Sequence, residues 1–176
     1  NYNSNIICFN FVNKKWVLFS NFKLESLKNN FQSPFFFKNK HKNLLFYTKN
    51  KKQIECIELN KDLKITKKNI CFKSELSNEK FSIYSPCIIK TNDKLHMFYA
   101  AWTNKFKGNI NYAYSLDGLH WVKKYKDIFE FKKNIQIISE PFAILKQKNI
   151  TIFFEFKNLE GQWNISYRKI SIDLLV

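Results

Sequence analysis

The residues best equipped for chemistry stand directly before proline. Ser33-Pro34, Ser85-Pro86 and Glu140-Pro141 each open an apolar run, and the three anchors are 52 and 55 residues apart. Glu140 brings a carboxylate, which can accept a proton or, once protonated, donate one. Ser33 and Ser85 bring hydroxyls, which hydrogen-bond well but cannot replace a second carboxylate in acid–base work. The other acids are weaker candidates. Asp93 lies at the tip of the turn Thr91-Asn92-Asp93-Lys94, and Asp117 belongs to an Asp-Gly turn. Glu155, inside the apolar run 152–156, is expected either to face the same centre as Glu140 or to end in a salt bridge. His41, His96 and His120 show no metal-ligand spacing and read as surface or satisfied core imidazoles. Cys8, Cys56, Cys71 and Cys87 lie far apart with no Cys-x-x-Cys pair, which argues against zinc. With no Gly-rich phosphate loop and no Ser/His/Asp or Cys/His arrangement, no metal or cofactor is expected.

The elements that must position these anchors are short strands. From Tyr84 to Trp121 the chain reads as Ser85-Pro86-Cys87-Ile88-Ile89, a polar turn, Leu95-His96-Met97-Phe98-Tyr99-Ala100-Ala101, a loop over 104–109, and a third run over 110–114. Each run is rich in aromatic and β-branched residues and bounded by turn formers, which favours strand over helix. The same plan begins at Ser33 and again at Glu140, and strands are also expected over 53–59 and 65–72. Self-similarity at this period, with four short strands per unit, predicts an all-β fold of propeller blades. The expected units are a part-blade 1–30, with a hairpin over 5–20, and blades 31–80, 81–133 and 134–176. Residues 74–80 form a polar connector with room for one helical turn. The central blade is expected to close with a strand over 126–131, and the last to stop before a fourth strand. Continuous apolar runs such as Pro34-Phe35-Phe36-Phe37 suit strands buried on both faces between blades, so most Phe are expected in the core.

The succession of an x-Pro strand, a turn, an apolar-Tyr strand, a Gly loop, a strand and Ser-x-Asp-Gly-x-x-Trp resembles the five-bladed β-propeller glycoside hydrolases of families 32, 43 and 130. The resemblance covers 31–173. Its sharpest element, Ser115-Leu116-Asp117-Gly118-Leu119-His120-Trp121, is also similar to the Asp-box of sialidase-type propellers. A structural role is expected there, with Asp117 bonding local backbone, Gly118 at positive φ and Trp121 covering the hairpin end. The resemblance implies acids near the starts of the innermost strands, facing a central funnel. Glu140 matches the position of the general acid; Ser33 and Ser85 stand where the hydrolases carry acidic Asp-Pro motifs. Trp102 becomes the candidate platform for stacking a sugar ring, with Tyr84 and Phe31 lining the same mouth. Hydrolysis of a glycosidic bond needs two carboxylates. The expected function is therefore glycan binding without hydrolysis. One alternative is a glycoside hydrolase with Glu140 as general acid and its Asp partner outside this chain. A basic interaction or scaffold domain is the second.

Composition bounds the rest. The chain has 176 residues, 19 Phe, 8 Tyr, 4 Trp and only 3 Gly, and a formal net charge of +16. Such charge invites a nucleic-acid reading. The lysines, however, fall as scattered pairs such as Lys14-Lys15, Lys51-Lys52 and Lys132-Lys133, the pattern of solvated strand ends that also blunt sheet edges. Nucleic acid is not the expected partner. No apolar segment approaches the length of a membrane span and no signal-peptide pattern is visible, so a reduced, cytoplasmic setting is the default expectation. Five complete blades need more chain than this. The sequence is thus expected to be a piece of a larger protein, ahead of a natural truncation or a half-propeller completed by self-association, because open blade faces would expose apolar patches.

Overall fold

In the computed structural model, which describes residues 5–12, 15–23, 31–38, 43–124 and 135–175, the chain is a β-propeller built of radiating antiparallel sheets. A hairpin of β1 (Asn5–Val12) and β2 (Lys15–Lys23) comes first. The second sheet has four strands in sequence order: β3 (Phe31–Lys38), β4 (Asn43–Lys49), β5 (Gln53–Leu59) and β6 (Ile65–Lys73). The third repeats that order with β7 (Ser82–Lys90), β8 (Leu95–Asn104), β9 (Lys107–Ser115) and the short β10 (Val122–Lys124). The last has β11 (Ile135–Lys146), β12 (Asn149–Asn158) and β13 (Trp163–Ser171). A single parallel bridge, Ile137 to Gly108, joins the third and last sheets where the chain crosses from one blade to the next.

Three details add to the sequence expectation. The fourth strand of the central blade includes Val122–Lys124, immediately after the Asp-box-like loop, while 126–131 lies outside the described residues, as does His41. Gly108 is a strand residue, not a loop residue, since β9 starts at Lys107. A Cβ there would stand 2.6 Å from the Trp102 ring, so glycine is what lets that indole lie flat across the strand pair. The connector before β7 does contain one 3₁₀ turn, Ser77–Glu79, but it is pinned into the interior by a buried carboxylate.

The core lies between blades. The face of the β3–β6 blade carrying Leu44, Phe46, Ile54 and Cys56 packs on Ile83, Ile88, Met97 and Tyr99 of the next blade. That blade's other face, with Cys87, Ile89, Phe98, Ile110 and Tyr112, packs on Ile138, Ala143, Ile150, Ile152 and Phe154 of the last. Strands buried on both faces explain the unbroken apolar runs: β4 is buried from Leu44 to Thr48. The Cys87 sulfur accepts a hydrogen bond from the Ala143 N–H across the blade boundary, and burial pushes its thiol up to about 11.

The Ser115–Trp121 loop clasps two blades together. Asp117 Oδ1 accepts from the Ser115 hydroxyl and from the N–H groups of Leu119 and His120, at 2.8 to 3.0 Å. Gly118 has φ of +83°, and its N–H donates to Ser115 Oγ. A Cβ on Gly118 would meet Leu44 of the preceding blade at 2.8 Å. Trp121 donates its indole N–H to the Gly118 carbonyl and sets its ring edge-on to Phe46 of that blade.

Candidate functional site

The three pre-proline anchors meet. Ser85 Oγ lies 3.1 Å from Ser33 Oγ and 2.5 Å from Glu140 Oε2, although the residues come from three different blades and are more than fifty positions apart in sequence. A hydroxyl has one proton. The short contact to the carboxylate takes that of Ser85, so Ser33 donates to Ser85 and Ser85 to Glu140, a relay of two hydroxyls ending on one carboxylate oxygen.

The same local device places all three. Each inner strand is interrupted at its anchor by a β-bulge, between Gln32 and Phe35, Tyr84 and Cys87, and Ser139 and Phe142. The bulge leaves the proline opposite no ladder acceptor, which suits a residue without an N–H. It also throws the anchor into the left-handed region, with φ of +51° at Ser33, +51° at Ser85 and +49° at Glu140. Holding a non-glycine residue there costs of order 1–3 kcal/mol. Three repetitions of this strain aim three side chains at one point.

Partial burial raises the Glu140 carboxyl above the usual carboxylate range. The Ser85 hydrogen bond opposes that rise and the negative charge of Glu155 reinforces it. Glu155 sits on β12 directly across from Ser139, the neighbour of Glu140. Among the described residues neither Glu140 nor Glu155 is in a salt bridge. Burial likewise pushes the Tyr84 hydroxyl far up; Ser139 and Trp102 lie within its reach, and the charges of Glu140 and Glu155 act on it from the next blade.

Trp102 is half-buried at the end of β8. Its ring stacks on Phe81, with centroids 6.3 Å apart, and meets Tyr84 edge-on at 5.8 Å. Phe31 does not join this group. Its ring lies 4.6 Å from Tyr47, against the opposite face of the β3–β6 blade. The reason is register: Phe31 sits two residues before its anchor and Tyr84 only one, and adjacent strand residues point to opposite faces.

The other ionisable groups are committed elsewhere. Burial alone would raise the Asp117 carboxyl, but the bonds from His120, Leu119 and Ser115 hold it far below the usual range. His96 is buried, with Nδ1 2.7 Å from the Tyr112 hydroxyl and Nε2 3.1 Å from Thr91 Oγ1, and burial lowers its pKa. Two buried carboxylates that sequence reasoning passed over, Glu55 and Glu79, are structural. Glu55 accepts from Tyr47 and Gln53 and pairs with Lys49 and Lys68. Glu79 accepts from Tyr99, Asn111 and Lys123 and from two backbone N–H groups. No group of His, Cys, Asp or Glu among the described residues has the form of a metal site.

No protein-family model matches the chain, and no curated protein matches its sequence. Solved structures do. A thermostable family-43 glycoside hydrolase superposes with a TM-score of 0.70 at 16% identity, covering 85% of this chain and 58% of that one. The α-L-arabinofuranosidase from Lactobacillus brevis gives 0.69 at 11%, over 94% and 62%. The α-L-arabinanase of Cellvibrio cellulosa gives 0.65 at 11%, over 89% and 59%. The fold is that of the β-propeller glycoside hydrolases. The chain spans less than two thirds of the length of each of these structures.

Proposed function

We propose that this β-propeller binds carbohydrate at the meeting point of its inner strands, and that the chain as it stands does not hydrolyse it. The observation that carries this reading is the composition of the convergent anchors: one carboxylate, Glu140, and two serines. Glycoside hydrolysis requires one group to protonate the leaving oxygen and another to activate water or attack the anomeric carbon. A serine hydroxyl, even one that donates to Glu140, does not supply that second carboxylate. What the cluster can do is hydrogen-bond a polyol. Glu140 Oε1 is left as an acceptor for sugar hydroxyls, and Ser33 and Ser85 can reorient to donate or accept. Trp102, beside Tyr84, offers an aromatic face to the apolar side of a pyranose or furanose ring.

A hydrolase with Glu140 as general acid is the second reading. It is favoured by the raised carboxyl of Glu140, since a general acid must hold its proton near the working pH. Its Asp partner would come from chain beyond this sequence.

The test is to titrate the protein with arabino- and galacto-oligosaccharides by calorimetry, while following product release from the same sugars. Binding without turnover is expected, weakened by Glu140→Gln and Trp102→Ala. Turnover by the parent that Glu140→Gln abolishes would establish the hydrolase reading. Binding to no glycan would favour the basic scaffold.

A further inference from the structure

The number of protons in the anchor cluster decides what it can offer a ligand. Ser85 is 7% exposed, Ser33 is half-buried and Glu140 is partly open to solvent. Ser85 Oγ is 2.5 Å from Glu140 Oε2 and 3.1 Å from Ser33 Oγ, so a buried hydroxyl joins two groups that a ligand can reach. With Glu140 ionised, the cluster holds two hydroxyl protons and uses both in its two internal hydrogen bonds. None is left over. A ligand then meets acceptors only, at Glu140 Oε1 and Ser33 Oγ. A serine that turns outward to donate gives up a bond inside the cluster, and the one onto the carboxylate is charge-assisted.

One added proton reverses this. The protonated carboxyl brings a third proton to the same two internal bonds. Its O–H is the strongest donor of the three, and Ser85 Oγ is the acceptor at 2.5 Å. With Glu140 donating to Ser85, Ser85 donates to Ser33, and the spare proton is that of the Ser33 hydroxyl, free to point at a ligand.

We propose that Ser85 is a positioning residue that couples the polarity of Ser33 to the protonation of Glu140: Ser33 accepts from a sugar hydroxyl while Glu140 is ionised and donates to a sugar oxygen once Glu140 is protonated. The inference rests on the cluster being a sugar-binding point. Two other ionisable groups act around the carboxyl. Glu155 on β12 acts on it through its negative charge, and Tyr84 on β7 keeps its proton because burial pushes its hydroxyl far up. From β3 comes no ionisable side chain between Phe31 and Phe37. Burial raises the Glu140 carboxyl, the Ser85 bond opposes the rise and Glu155 adds to it, so the reversal is moved toward neutral pH.

The test uses an arabino-oligosaccharide and its deoxyfluoro analogues, each with one hydroxyl replaced by fluorine, which cannot donate. Calorimetric titration at about pH 8 and about pH 4 brackets the carboxyl. At the higher pH, the analogue lacking the hydroxyl that faces Ser33 should bind the parent about tenfold more weakly, the equivalent of one hydrogen bond. At the lower pH that penalty should largely disappear. Ser33→Ala identifies the hydroxyl, because its fluorine penalty vanishes in the variant. In Ser85→Ala, Ser33 keeps its own proton at both pH values, so the penalty should no longer change with pH while the melting temperature stays near the parent's. Glu140→Gln, which cannot take up the proton, should lose the pH dependence as well. A fluorine penalty in the parent that is the same at both pH values would overturn the proposal, and so would a pH-dependent penalty that survives Ser85→Ala. Binding of no oligosaccharide at either pH would remove the sugar-binding reading itself and this inference with it, whereas binding that ignores Ser85 removes this inference alone.

Discussion

Replacing Glu79 by Gln should destabilise the protein more than any single surface change, although Glu79 lies in a polar connector. Its side chain is fully buried and accepts from Lys123 Nζ at 2.7 Å, Tyr99 at 2.6 Å, Asn111 at 3.2 Å and the N–H groups of Glu75 and Leu76. Lys123 is itself only 11% exposed and is held also by the Lys73 carbonyl and the Phe72 ring. Burial alone would raise the Glu79 carboxyl, but the bonds from Lys123, Tyr99 and the backbone outweigh it and hold it below the usual range. Glu79→Gln keeps the shape and removes the charge, stranding a buried ammonium. Breaking such a pair costs about 3–5 kcal/mol. At about 2–4 °C per kcal/mol for a chain of this size, the melting temperature should fall by roughly 6–20 °C. Chemical denaturation at neutral pH measures the loss. Adding Lys123→Met to Glu79→Gln should recover part of it, because no charge is then left unpaired. A loss below about 1 kcal/mol, the size of an exposed ion pair, would refute the claim that this connector is locked into the core through Glu79. The lowered carboxyl also sets a sign: its stabilisation is present above the unfolded-state value and is lost as pH falls through the folded one.

Glu140 should behave in the opposite sense. A carboxyl raised in the folded state penalises folding once pH exceeds that raised value and leaves folding unpenalised below the unfolded one. Glu140→Gln, which keeps an acceptor for Ser85, should melt above the parent at neutral pH and with it in acid; a lower melting point at neutral pH would contradict the assignment. Gly108→Ala should displace Trp102, shifting its fluorescence and costing about 1–3 kcal/mol as an overpacked contact; an unchanged spectrum would show that the indole has room to spare. Gly118→Ala should lower the melting temperature through both its positive φ and its approach to Leu44, while Leu116→Ala, at an exposed position of the same loop, should not.

Much of the framework was legible because it repeats. The pre-proline anchors mark equivalent points of three inner strands, and their convergence follows once the strands radiate from one axis. The Ser115–Trp121 loop was legible because its bonds are local, between residues two or three apart. What escaped depends on distant partners. Glu79 looks like any acid in a connector until Tyr99, Asn111 and Lys123, 20 to 44 residues on, are folded around it. Gly108 reads as a loop former because nothing local announces an indole that needs its missing Cβ. Phe31 looks equivalent to Tyr84, but one residue of register puts it on the other face of its blade. Glu155 could be narrowed only to the funnel or a salt bridge. In the fold it neighbours Glu140 electrostatically and is in no salt bridge among the described residues.

The central claim is that the Ser33–Ser85–Glu140 cluster is a sugar-binding point lacking a catalytic partner. The most direct measurement is a calorimetric titration of the parent and of Ser33→Asp/Ser85→Asp, which restores acids at the two serine anchors, with product release followed in the same samples. The account predicts that the parent binds without releasing product and that Glu140→Gln weakens binding. It also predicts that hydrolysis, if it appears at all, appears only in the two-aspartate variant. Product release by the unmodified chain would contradict it.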